Sequence, residues 1–187
     1  MKKMRSICVY CGASNSVDAR YIALAEKLGR ELARRDIRLV YGGGGVGLMG
    51  ACARAAHEMA GEVLGIMPRF LLQKEQIYTD VEHRIVEDMH TRKQMMFDEA
   101  DAFIVLPGGI GTLEEAVEIL SWARLNLHAK PMAFLDEDGF WSPFFELMDH
   151  IIKGGFVPDS FRDALVHCSR SDEAIEALLD RVVVMDL

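Results

Sequence analysis

The chain has 187 residues, half of them hydrophobic and 27% charged, which fits one globular domain spanning 1–187 with room for a full core. A formal net charge of −8 argues against a nucleic-acid surface, whose footprint is basic. No stretch reaches the roughly 18 apolar residues of a membrane span, and the run after Met1-Lys2-Lys3-Met4-Arg5-Ser6 is too short for a secretion signal, so the expected setting is the cytoplasm.

In chain order, short apolar runs alternate with helical patterns. The runs are Ile7–Tyr10, Leu39–Tyr41, Val63–Met67, His83–Val86, Ala102–Leu106, Met132–Leu135 and Leu165–His167. Between them, Tyr21, Leu24, Ala25, Leu28 and Leu32 share one helical face. Further helical stretches run over Leu48–Met59, Met89–Ala100, Glu114–Leu125, Phe144–Ile152 and Asp172–Leu179. Most runs are continuously apolar rather than alternating, as in strands buried on both faces. Alternating β and α segments of this kind predict an α/β fold, an open parallel sheet with helices on both faces. The stretch Arg69–Asp80 is the longest connection without periodicity. It is a candidate loop for closing a pocket beyond the carboxyl ends of the strands.

Cys8 and Cys11 make a lone C-x-x-C, but across a strand residues three apart face opposite sides. The four cysteines therefore read as reduced thiols, not as a metal knuckle or redox pair. The histidines lack ligand spacing, and neither metal nor cofactor is expected.

Two strands end in glycine-rich turns. The first, Tyr41 to Gly50, contains G-x-G-x-x-G at Gly45, Gly47 and Gly50. A dinucleotide site wants an acid at the end of the next strand to hold the ribose. Here that strand ends Ile66-Met67-Pro68-Arg69, without one, and no Lys-Ser or Lys-Thr follows a glycine to make a P-loop. The second turn is Pro107-Gly108-Gly109-Ile110-Gly111-Thr112-Leu113-Glu114-Glu115, between a strand and a helix. Glycines let a ligand approach the backbone, and the helix start offers free N–H groups and a dipole that suit an anion. Thr112 adds a hydroxyl; Thr112-x-x-Glu115 also spells a capping box. Ahead of this strand, Arg92 and Lys93 lie in the first turns of a helix, where cations oppose the dipole and an anionic ligand would offset the cost.

With Gly42-Gly43-Gly44-x-x-Gly47-Leu48-Met49-Gly50, Met89-His90-x-Arg92-Lys93 and Pro107-Gly108-Gly109-x-Gly111-Thr112-x-x-Glu115 in order, the chain resembles the LONELY GUY family over nearly its whole length. These are cytokinin riboside 5′-monophosphate phosphoribohydrolases, long labelled lysine decarboxylases. The resemblance implies a Rossmann-like fold and hydrolysis of the N-glycosidic bond of an adenosine 5′-monophosphate, plain or N6-modified, to free base and ribose 5-phosphate. It implies Arg92 and Glu115 as the catalytic pair. It implies nucleotide contacts at Arg92, Lys93, Gly108, Gly109, Ile110, Gly111, Thr112, Leu113 and Glu114, with Glu75 in the long loop as a further ligand-binding acid. It also implies a homodimer.

Cleaving C1′–N9 builds positive charge on the ribose, which a carboxylate below C1′ stabilises. A helix N-terminus and nearby cations both lower a carboxyl pKa, so Glu115 is expected to stay ionised and serve as base or electrostatic stabiliser. The competing expectation is a nucleotide- or phosphorylated-ligand-binding protein without turnover. A third, a lysine decarboxylase, needs pyridoxal phosphate on a lysine, for which Lys130 is the one at a strand end.

Overall fold

The computed structural model describes residues 4–184. Seven strands form one sheet: β1 Ser6–Tyr10, β2 Arg38–Tyr41, β3 Val63–Pro68, β4 Glu82–Val86, β5 Ala102–Val105, β6 Met132–Leu135 and β7 Val166–Cys168. All six pairings are parallel, in the order β4-β3-β2-β1-β5-β6-β7. The helices are α1 Ala19–Arg34, α2 Gly47–Glu58, α3 Met89–Asp98, α4 Ile110–Arg124, α5 Ser142–Lys153 and α6 Ser171–Val184.

The strand order explains the layers. The chain steps outward through β1, β2 and β3, then returns from β4 to β5 and steps the other way. Right-handed crossovers put helices from opposite directions of travel on opposite faces. One core accordingly joins α1, α2 and α6 to the sheet through Leu24, Leu28, Leu48, Ala51, Ile175 and Leu178. The other joins α3, α4 and α5 through Met96, Ala116, Ile119, Leu120 and Phe144. The central strand β1 is buried along its length. Side chains along β1 and at the residue after it alternate between the cores, Ile7, Val9 and Cys11 in the first and Cys8 and Tyr10 in the second. Cys8 and Cys11 thus face opposite ways, and all four cysteines are free thiols.

Two features depart from the sequence pattern. Helix α4 starts at Ile110, four residues before the apolar periodicity begins. The loop after β3 is not without structure: Arg69–Leu71 form a 3-10 turn. The chain then returns to the first glycine turn, where Gly44 and Ile77 make an antiparallel bridge and Gly45 N donates to Gln76 O at 2.6 Å.

The order reverses between β1 and β5, and in an open parallel sheet the loops leaving neighbouring strands at such a switch point diverge and leave a crevice at the carboxyl ends. Here the turn after β1 touches the turn after β5, with Gly12 N donating to Pro107 O at 3.1 Å.

Candidate functional site

The helices that follow the two glycine turns, α2 and α4, both start at this end of the sheet, and their N-termini differ in what they offer. At α2 the chain has already supplied the partners. Gly47 N donates to Asn15 Oδ1 at 2.8 Å, and Leu48 N and Met49 N donate to Gly12 O at 3.0 and 3.4 Å. At α4 the cap is Gly109, with no side-chain cap. The first turn of a helix leaves its N–H groups without intrahelical partners, so Ile110, Gly111 and Thr112 present theirs outward beneath the positive end of the dipole. The helix start left without a side-chain cap is therefore the second glycine turn, and the G-x-G-x-x-G of the first is a packing device. A Cβ on Gly50 would overlap Gly45 O, and one on Gly45 would lie 2.8 Å from the Ile77 carbonyl carbon.

The glycines of the second turn divide the same way. Gly108 is small because the buried Thr112 side chain packs on it. Gly109 and Gly111 have nothing within 4 Å of where a Cβ would be. Neither has positive φ. Neither a protein contact nor a positive φ requires glycine at these two positions.

The capping box is not formed. With the cap at Gly109, Thr112 is the third helical residue and Glu115 the sixth, one turn too deep to reach back. Thr112 places its side chain against Gly108 rather than at the open corner.

That extra turn carries Glu115 inward to Arg92. Arg92 is 7% exposed and held from three sides. Its Nε donates to Ile66 O at 3.1 Å, its Nη2 to Gly42 O at 3.2 Å, and its Nη1 lies 3.6 Å from Glu115 Oε1. Gly42 must be glycine here, because a Cβ would overlap the guanidinium. A buried guanidinium with two backbone acceptors is fixed in plane and aim, so the ends of β2 and β3 orient the cation that faces α4. The unfavourable placement of Arg92 early in α3 is offset by these partners and by Asp88, which caps α3 by accepting from Thr91 N at 2.8 Å.

Glu115 departs from expectation. Burial, the largest effect, raises its pKa from 4.5 to about 7; Arg92 and, more weakly, Lys93 act against this, and Glu114 and Glu118 add to it. Desolvation by the packed face of α4 over Cys8 and Tyr10 outweighs one cation at 3.6 Å. Glu115 is therefore poised to gain or lose a proton near neutral pH instead of remaining a permanently ionised carboxylate.

The remaining predicted site residues separate into groups. Glu75 comes to the crevice side of the first turn, its Oε2 3.7 Å from where a Gly44 Cβ would be. Ile110 is 83% exposed at the mouth, and Leu113 packs into the α4 core. Lys93 and Glu114 do not turn toward Glu115. Lys93 Nζ binds Glu114 at 2.7 Å and Glu118 at 3.0 Å, on the flank where a cavity of about 560 Å³ opens between α3 and α4. Lys130 lies before β6, at the opposite end of the sheet from the crevice, with Nζ donating to Phe97 O at 2.6 Å. A Schiff base there would be remote from the α4 N-terminus. His90 is exposed and makes no cap.

Sequence reasoning passed over the β1 turn, Gly12-Ala13-Ser14-Asn15. It lines the switch point, exposes Ser14 and Asn15, and occupies the α2 N-terminus. A run of small and hydroxyl residues directly after the first apolar run was the available signal.

An open parallel sheet, an uncapped helix N-terminus at the switch point and an Arg92–Glu115 pair beside it define a Rossmann-like α/β protein. The family model described as "Possible lysine decarboxylase" matches residues 49–178. The chain is 42% identical to the cytokinin riboside 5′-monophosphate phosphoribohydrolase LOG of Oryza sativa subsp. japonica, over 96% of this chain and 75% of that protein. It is also 42% identical to LOG3 of Arabidopsis thaliana, over 94% of this chain and 82% of that one. The chain belongs to this LONELY GUY family. Among solved structures, the molybdenum cofactor carrier protein of Chlamydomonas reinhardtii superposes with a TM-score of 0.73 at 18% identity, covering 97% of this chain and 99% of that one. That likeness establishes the shared fold.

Proposed function

We propose that this protein is a nucleoside 5′-monophosphate phosphoribohydrolase, which cleaves the N-glycosidic bond of an adenosine 5′-monophosphate, N6-modified or plain, as in cytokinin activation. The relatives carry that activity in their names. The observation that carries the reading is the pairing of an uncapped α4 N-terminus with the Arg92–Glu115 pair one turn further on. One holds a phosphate and the other addresses the sugar.

The 5′-phosphate lies against the N–H groups of Ile110, Gly111 and Thr112, in the space kept open at Gly109 and Gly111. Lys93 stays paired with Glu114 and Glu118 on the flank between α3 and α4. Anchoring the phosphate fixes C1′ near Glu115 and turns remote binding energy into orientation. As C1′–N9 breaks, its electron pair leaves with the base and positive charge spreads over the ribose. Ionised Glu115 stabilises that charge and takes a proton from the water that adds to C1′; the departing base takes up one proton from solvent and Glu115 releases one to it, so the base ends protonated and Glu115 ionised again. A carboxylate with a pKa of about 7 is a stronger base than an ordinary one, well matched to this step. Arg92, locked by Gly42 O and Ile66 O, holds the carboxylate in place. Glu75, above the first turn, is placed to accept from the ribose hydroxyls.

A carrier without turnover gains nothing from an acid–base pair with a raised carboxyl pKa beside its phosphate site, and the enzyme reading accounts for one. We further propose that residues 1–187 act as one nucleotide-binding domain, that the protein works in the cytoplasm, where free thiols persist, and that it is a homodimer. Exposed Ile110 and Val117 on α4 and Leu125 at its C-terminal cap, at 83%, 45% and 61%, support the dimer. The test is product analysis. Adenine and ribose 5-phosphate should appear from the monophosphate, and Glu115→Gln should lose turnover while keeping its fold.

A further inference from the structure

We propose that Arg54, on α2 and outside the crevice, is a positioning residue that sets the ribose selectivity of the site by holding the Glu75 loop against the first glycine turn. The inference rests on the phosphoribohydrolase reading and deepens it.

Three connections tie the loop to the turn. Two are backbone pairings, Gly45 N to Gln76 O at 2.6 Å and the Gly44–Ile77 bridge. The third is Arg54, whose Nη1 donates to Gly45 O at 2.8 Å while its guanidinium lies 5.9 Å from the centre of the Tyr78 ring. Arg54 is the one side chain among these contacts that grips both partners, the turn through Gly45 and the loop through Tyr78. Tyr78 is flanked on the same helix by the His57 ring, edge-on at 5.9 Å, and packs against the core of that face. Gly50 makes room for the clamp, since a Cβ there would meet Gly45 O and come within 2.8 Å of Arg54 Nη1.

Glu75 immediately precedes this anchored segment. Its backbone N donates to Leu71 O at 2.8 Å, and its carboxylate lies over Gly44. The position of that carboxylate over the crevice is therefore set where residues 76–78 dock. A planar guanidinium with a fixed acceptor on one side and a ring face on the other resists sliding of one segment over the other. A hydrogen bond from a ligand hydroxyl to a charged acceptor depends steeply on distance. Loosening the clamp thus costs the contact to the ribose hydroxyls and leaves the α4 corner and the Arg92–Glu115 pair in place.

The experiment compares kcat/KM for AMP and 2′-deoxy-AMP in the wild type, Arg54→Ala, Arg54→Lys, Glu75→Gln and the Arg54→Ala/Glu75→Gln double variant. Wild type should favour the ribonucleotide by roughly 10-fold or more, as for a hydrogen bond to a charged group. Arg54→Ala should lose most of that preference through the AMP value alone, Arg54→Lys should restore part of it, and the double variant should match Glu75→Gln. Equal losses on both substrates in folded Arg54→Ala, additive effects in the double variant, or no ribose preference in the wild type would each overturn the proposal while leaving the hydrolase reading intact. If Arg54→Ala does not fold, Tyr78→Leu removes the other half of the grip and must give the same selective loss. Absence of base release from any monophosphate instead defeats the functional reading, and this inference with it.

Discussion

At the scale of single residues, the chemistry turns on how much water reaches Glu115. A carboxyl whose folded pKa lies above its unfolded value binds more protons folded than unfolded between the two, so stability falls as pH rises through that window. For Glu115 the window runs from 4.5 to about 7. The cost is absent below it and complete above it, amounting to about 3 kcal/mol. Glu115→Gln should therefore lose turnover by on the order of 10³-fold, yet at pH 8 unfold at higher denaturant than the wild type; equal or lower stability there argues against the buried carboxylate. The same group predicts that kcat/KM rises with pH and levels off above about 7. A profile that falls above 7 would assign Glu115 the acid role instead. Arg92→Lys keeps the charge but not the two-carbonyl fit to Ile66 and Gly42, and turnover should drop about 100-fold with the fold retained.

At the scale of elements, the two glycine turns look interchangeable in sequence and are opposites in structure. The α2 terminus is plugged by Gly12 O and Asn15, while the α4 terminus is open. Parallel substitutions test this difference. Gly50→Ala forces a Cβ into Gly45 O and should destabilise by about 3 kcal/mol. Gly111→Ala meets nothing and lies within a helix, so it should stabilise by about 0.5–1 kcal/mol while raising KM for a monophosphate. Thermal melts and steady-state kinetics on the two variants separate the effects, and a Gly111→Ala enzyme with unchanged KM contradicts the cradle. The sequence could not show this division. Asn15 reaches Gly47 across 32 positions, a contact only the tertiary fold supplies. The early start of α4 was hidden because Gly109-Ile110-Gly111 reads as a turn by propensity, and the residues that make it helical belong to the packed stretch beyond. Burial of Glu115 was hidden for the same reason: charge and dipole can be read along a chain, desolvation cannot.

At the scale of the whole molecule, more was legible. Continuous apolar runs such as Ile104-Val105 and Leu39-Val40 announced strands buried on both faces, and their alternation with helices specified the parallel sheet. Strand order was not legible, because it depends on which crossover reverses, and that reversal between β1 and β5 creates the crevice. Once the order is known, the glycine turns, Arg92 and the Glu75 loop fall at one end of the sheet, and Lys130 falls at the other. The exposed apolar residues of α4 predict a particle of twice the chain mass by sedimentation, and a monomer at micromolar concentration would remove the homodimer from the account. The most direct test of the central claim follows base release from AMP and from adenosine under identical conditions. Free adenine and ribose 5-phosphate should form from AMP, with adenosine slower by roughly 100-fold or more because it lacks the phosphate proposed to lie at α4. Adenosine cleaved as fast as AMP, or no base released from AMP or its N6-substituted forms, would contradict it.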